Sequence, residues 1–135
     1  MNVLLLSSDL TVTSMVEGAA RQSGLALASF GNSTALRDRA KEILGGAKPA
    51  ALHPSAPLVI VDLSTTNLDV AALVKSLAEL ADEPPAVWAF GPHVHENRLE
   101  AARRAGCQLV LTRGQFHAQI AQRLAGWKDA RAASL

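Results

Sequence analysis

Leu58-Val59-Ile60-Val61-Asp62-Leu63 is the most strand-like stretch of the chain. Three consecutive β-branched residues, Val59, Ile60 and Val61, favour a pleated backbone. The run is apolar throughout rather than alternating, which is the pattern of a strand covered on both faces in a parallel sheet. Val3–Leu6, Ala86–Phe90 and Leu109–Leu111 repeat that pattern, and Leu25–Phe30 does so more weakly. Between these runs the apolar spacing turns helical. Leu10, Met15, Val16, Ala19 and Ala20 form one stripe, ended near Ser23-Gly24. Ala35 to Leu44 forms a second, stopped by Gly45-Gly46, and Leu68 to Leu80 a third, closed by Pro84-Pro85. His95 to Ala105 is thinly apolar, through Leu99 and Ala102, and Gln115 to Trp127 spaces Phe116, Ile120, Leu124 and Trp127 along one face. Strand and helix in fivefold alternation predict an α/β layer structure with right-handed crossovers and helices on both faces.

Composition narrows the function classes. A chain of 135 residues suits one domain, expected over 1–127, with Lys128–Leu135 as a tail too poor in apolar groups to dock. Gly45 to Pro57, rich in Gly, Ala and Pro, reads as an exposed insertion. Thirteen basic and twelve acidic residues leave a net +1, and aromatics are 4%, so nucleic acid is not an expected partner. No run approaches the ~20 apolar residues of a membrane span, and Met1–Leu6 lacks a signal peptide's basic start, so a cytoplasmic protein is expected. A single cysteine, Cys107, expected to be buried at the start of the last strand, excludes a disulfide framework and has no partner for nucleophilic chemistry.

Ligands of open parallel sheets bind beyond the carboxyl ends of the strands. That rule selects Ser7-Ser8-Asp9, Asp62, Gly91-Pro92-His93 and Thr112-Arg113. At these positions the chain resembles the receiver domain of two-component response regulators. Leu58 to Leu63 is similar to the family's strand that ends in the phosphoacceptor aspartate, here Asp62. Asn67-Leu68-Asp69 falls on its Gly-Met-Asp without the usual Pro-Gly, and Ala105-Gly106-Cys107 with Leu111-Thr112-Arg113 falls on its Ala-Gly-Ala to Lys-Pro stretch. The resemblance implies a three-layer α/β/α sandwich, flavodoxin-like (CheY-like), with a five-stranded parallel sheet in the order 2-1-3-4-5, two helices on one face and three on the other.

It also implies a chemistry that these residues do not supply. The family's acidic pair that holds Mg²⁺ falls on Ser7 and Ser8, leaving Asp9 as the nearest carboxylate, and neutral hydroxyls bind Mg²⁺ weakly. The switch Ser/Thr falls on Phe90, next to Gly91; the phosphoryl-contacting Lys falls on Arg113; and the aromatic switch falls near Val110. The expectation is a degenerate receiver, or pseudo-receiver: not an enzyme, without a cofactor unless Mg²⁺ enters with phosphorylation. Asp62 would bond Arg113 or Ser8, and the module would work through a protein partner at the face of the fourth helix, fifth strand and fifth helix, with a homodimer compatible. His93, His95 and Glu96 form a polar turn that could serve as a recognition loop. The alternative is a small metal- or phosphate-binding protein, with Asp9, Asp62, His93 and His95 as candidate ligands or the Ser7-Ser8-Asp9 loop as an anion site.

Overall fold

The computed structural model describes residues 2–44 and 56–133. Five strands, β1 (Val3–Leu6), β2 (Leu27–Phe30), β3 (Leu58–Asp62), β4 (Val87–Gly91) and β5 (Leu109–Thr112), alternate with five helices: α1 (Leu10–Gln22), α2 (Ser33–Leu44), α3 (Val70–Ala78), α4 (Glu96–Ala105) and α5 (Arg113–Ala133). All neighbouring strands pair in parallel, in the order β2-β1-β3-β4-β5. The expected three-layer sandwich is therefore the fold.

Because successive side chains of a strand point to opposite faces, each continuous apolar run feeds two cores. Val3, Leu5, Ile60 and Phe90 meet Val12 and Val16 of α1 and Phe116, Ile120 and Leu124 of α5. Leu4, Leu6, Val59, Val61 and Ala89 meet Leu36 of α2, Leu73 and Leu77 of α3, and Leu99 and Ala102 of α4. Two helices thus cover one face and three the other. Strands β1 and β3 are buried along their whole length, which explains the absence of polar alternation in their sequences.

Helix boundaries follow local hydrogen-bond chemistry more than apolar spacing. Asp9 caps α1, its Oδ1 accepting from the backbone N–H of Thr11 (2.8 Å) and Val12 (3.2 Å). Asn32 accepts from the N–H of Ala35 at 2.8 Å, so α2 begins at Ser33 rather than at Ala35. Asp69 caps α3 through the N–H of Ala72 at 3.0 Å, which cuts the helix expected over Leu68–Leu80 to Val70–Ala78. Asn67, two residues earlier, has φ of 59°, the left-handed conformation that asparagine tolerates better than most side chains. Gly106 ends α4 with φ of 99°. Helix α5 runs to Ala133, past the expected limit at Trp127. Lys128, Asp129, Ala130, Arg131, Ala132 and Ala133 contain no breaker and three alanines, so propensity continues the helix where the apolar stripe ends. The insertion expected over Gly45–Pro57 lies, up to residue 55, outside the described residues. Among the described residues no helix is long and apolar enough to cross a membrane.

Candidate functional site

Parallel strands bring the ends of β1 and β3 side by side, with Leu6 paired to Val61. Ser7 follows β1 and Asp62 closes β3, so both lie at one edge of the sheet. Each is buried: Ser7 is 5% and Asp62 2% exposed. The Ser7 hydroxyl donates to Asp62 Oδ2 at 2.8 Å, and Ser7 Oγ accepts from the N–H of Asp9 at 3.1 Å. The other carboxylate oxygen, Oδ1, accepts from the backbone N–H of Ser64 at 2.9 Å. This is the turn in which an aspartate caps the chain two residues on. Thr65 tightens it, donating its hydroxyl to the Asp62 carbonyl at 2.7 Å. Hydrogen-bonding a buried carboxylate on each oxygen is what makes its burial tolerable.

Arg113 supplies the counter-charge. It is the first residue of α5, directly after β5, because Thr112 and Gln115 cap each other: the Thr112 N–H donates to Gln115 Oε1 (3.0 Å) and the Gln115 N–H to Thr112 Oγ1 (3.2 Å). This reciprocal pair is a capping box, T-x-x-Q, and it moves the helix start two residues ahead of the expected Gln115. From there the guanidinium reaches Asp9 Oδ2 at 3.4 Å and stands 4.0 Å from Asp62 Oδ1. Asp9 titrates below the ordinary carboxylate range, chiefly because the Val12 N–H bonds it, helped by the Thr11 N–H and Arg113 and opposed by partial desolvation.

Several expectations for this edge need correction. Ser7, not Ser8, bonds Asp62; Ser8 is exposed. Phe90 does not face a phosphoryl pocket. It is fully buried on the α1/α5 side and stacks on Phe116, with ring centroids 3.9 Å apart and planes inclined by 12°. Gly91 has a packing role, since a Cβ there would stand 3.2 Å from the Cβ of Leu63. Cys107 is half-buried, just ahead of β5, and desolvation pushes its thiol up to about 11. His93, His95 and Glu96 are all exposed. The turn before α4 is closed by the His95 N–H donating to the Pro92 carbonyl at 2.9 Å, while the His95 side chain makes no capping bond. Among the described residues no three His, Cys, Asp or Glu side chains gather as a metal site, so His93, His95, Asp9 and Asp62 do not form a common ligand set.

The residues present do not fit a divalent cation of the receiver type either. Such an ion wants several carboxylate oxygens free to turn toward it. Asp9 spends Oδ1 on the α1 N-terminus, Asp62 is bonded on both oxygens, and a guanidinium lies between them.

Sequence reasoning missed Ser64 and Thr65, and it placed Phe116 on the inner face of the last helix without joining it to Phe90. The D-x-S-T string after β3 was a readable signal for the first two, since Asp followed two and three residues on by hydroxyl-bearing residues favours a closed turn. Nothing in sequence joins Phe90 to Phe116.

No family model and no curated protein sequence matches the chain, but solved structures do. The receiver domain of the TMAO respiratory system response regulator TorR superimposes with a TM-score of 0.72 at 10% identity, over 93% of this chain and 94% of that one. The receiver domain of the sensor histidine kinase PA1611 from Pseudomonas aeruginosa, with a magnesium ion coordinated in its active site cleft, gives 0.69 at 14% identity over 93% and 95%. The beryllofluoride-activated NtrC4 receiver domain dimer gives 0.68 at 14% identity over 93% and 96%. At these identities the likeness is one of fold, and it agrees with the strand order and layer assignment.

Proposed function

We propose that the chain is a receiver-like signalling module that acts through protein–protein contact, with Asp62 fixed by its own neighbours instead of being charged with phosphate. The observation that carries this reading is that the buried Asp62 carboxylate is held by Ser7 on one oxygen and Ser64 on the other, with the Arg113 guanidinium beside it. Transfer of a phosphoryl group to a carboxylate requires a free lone pair in line with the phosphorus and a metal ion to neutralise the charge gathering there. Here each oxygen already accepts a hydrogen bond from a fixed neighbour, which occupies part of its lone-pair capacity and holds the carboxylate in one orientation, and the nearby cation is Arg113, which cannot offer open coordination positions.

A partner surface is favoured at the same edge. Leu10 opens α1 and Val94 stands in the turn before α4; they are 83% and 70% exposed, the two large hydrophobic side chains that the described residues leave to water. Both sit at the carboxyl end of the sheet, on either side of Asp62. Exposed apolar groups rimmed by polar ones are what a docking surface offers, and His93, His95 and Glu96 supply such a rim. The face of α4, β5 and α5 that the resemblance implies is less open to apolar contact: Arg103 and Arg104 on α4 are already paired to Glu100, at 3.2 and 3.4 Å.

The reading is tested by incubating the protein with acetyl phosphate and Mg²⁺ and measuring its intact mass. No adduct is expected. A one-phosphate gain that disappears in Asp62→Asn would overturn it.

A further inference from the structure

A groove of about 640 Å³ runs between the loop that follows β3 and helix α4, lined by Leu63, Ser64, Thr66, Asp69, Arg98 and Ala101 among others. Its volume is that of a small-molecule site. Its walls mix apolar surface with hydroxyl groups, and it contains one cation, Arg98, and one anion, Asp69. The two charges are not equivalent. Asp69 is turned to the N-terminus of α3, where its Oδ1 accepts the Ala72 N–H, so the positive end of the helix offsets its charge. Arg98 lies outside every ion pair of the described residues, and a single bond, from Nη1 to the Leu63 carbonyl at 3.2 Å, holds its guanidinium at the groove. That anchor leaves the remaining N–H groups of the fork to meet a planar anion in the bidentate geometry that guanidinium and carboxylate share.

We infer that this groove binds a small organic carboxylate, its charged end on Arg98 and its apolar body along Leu68 and Ala101. The occupant is a carboxylate rather than a dianion, because one uncompensated cation is present and Asp69 shares the groove. The inference is independent of whether Asp62 accepts phosphate. The two sites nonetheless touch: Ser64, which lines the groove, donates the N–H that holds Asp62 Oδ1. A ligand seated there would thus press on the turn that fixes Asp62.

Benzoate is a suitable probe, with benzamide as its neutral isostere. In two-dimensional amide NMR titrations of the full chain, benzoate should shift the signals of residues 63–71 and 98–101 in a saturable way, with half-saturation near or below about 10 mM for so small a ligand. Benzamide should bind about tenfold more weakly, as should benzoate to Arg98→Gln, since a charge-assisted hydrogen bond is lost in each case. Arg98→Lys, which keeps the charge without the fork, should fall between. The spectra themselves report whether each variant is folded. The inference is overturned if benzoate shifts nothing saturably, if benzamide binds as well, or if Arg98→Gln binds benzoate like the parent chain. A phosphate adduct on Asp62 in the earlier test would leave it standing.

Discussion

Replacing Ser7 by aspartate puts back a carboxylate where the resemblance places one, and the structure fixes what this should cost. Ser7 Oγ is 2.8 Å from Asp62 Oδ2, with both residues buried. In Ser7→Asp two carboxylates would face each other at about 4 Å, which at an effective dielectric of about 20 is a repulsion of about 4 kcal/mol. The protein has one escape, which is for one of the pair to take up a proton. The new O–H then replaces the lost serine donor. Keeping a carboxyl of ordinary pKa, about 3.9, protonated at pH 7 costs about 1.4 kcal/mol per pH unit, again about 4 kcal/mol. Either route gives the same loss at neutral pH, within the roughly 5–15 kcal/mol stability of an ordinary domain.

The two routes separate on acidification. The folded variant holds a proton that the unfolded chain releases at neutral pH, so its stability falls as pH rises and recovers as pH falls. The deficit relative to the parent should shrink from about 4 kcal/mol at pH 7 to about 1.5 kcal/mol at pH 5. Urea denaturation of both proteins at the two pH values reads this directly, provided the m values agree. Millimolar Mg²⁺ should recover part of the loss in the variant and leave the parent unchanged, because only the variant offers paired carboxylates to an ion that binds the folded state. A deficit under about 1 kcal/mol at pH 7, or one that does not shrink at pH 5, would show that residue 7 does not face Asp62 across a water-free gap. Stabilisation of the parent by Mg²⁺ would refute the argument that Arg113 and the two serines exclude the ion.

Three further outcomes follow from the same geometry. Phe90→Ala should cost about 4 kcal/mol in urea unfolding, and Phe90→Ala with Phe116→Ala should cost less than the sum of the single losses by about 1 kcal/mol, the coupling of the stacked rings. Exact additivity would mean that the stack contributes nothing. Asp9 has a carboxyl titrating below its ordinary range, so its stabilising effect is present above that range and lost as pH falls through the lowered value. Asp9→Asn should therefore lie below the parent in stability at pH 6 and converge with it near pH 2, and curves that stay parallel would contradict this. Cys107, pushed up to about 11, should react with iodoacetamide far more slowly at pH 8 than a free cysteine does, with the rate climbing as pH approaches 11. Alkylation at the free-cysteine rate would place the thiol in water.

The layer structure was legible because a buried parallel sheet writes itself in continuous apolar runs, and Val59-Ile60-Val61 is a clear instance. The same property hid the site. With Leu5 and Leu6 both buried, on opposite faces, no polar alternation tells which of Ser7 and Ser8 turns toward β3, so the sequence reading chose the wrong hydroxyl. The apolar stripe likewise misplaced the helix starts set by the caps at Asn32, Asp69 and Thr112. The Thr112–Gln115 box was available as a motif. The Phe90–Phe116 stack was not, because the two rings are brought together only by the packing of α5 against β4.

The residues that match the receiver pattern and those that depart from it divide by physical task. Asn67 sustains a left-handed turn, Asp69 caps α3, Gly106 ends α4, and Asp62 ties the end of β3 to β1 and to its own following turn. Each has work to do in folding. Ser7, Ser8 and Phe90 stand where the resemblance implies a carboxylate or a switch hydroxyl, groups that only phosphoryl chemistry would demand. On the proposed reading, the hydrogen bonds alone account for an aspartate at position 62. Asp62→Asn retains one acceptor for Ser7 or Ser64 and should fold, whereas Asp62→Ala leaves the Ser64 N–H and the Ser7 hydroxyl without partners in a buried site, a loss of about 2–4 kcal/mol beyond that of the asparagine variant. If the two variants were equally stable, the hydrogen bonds would not be what holds Asp62 in place, and phosphate chemistry would again be the better reason for its presence.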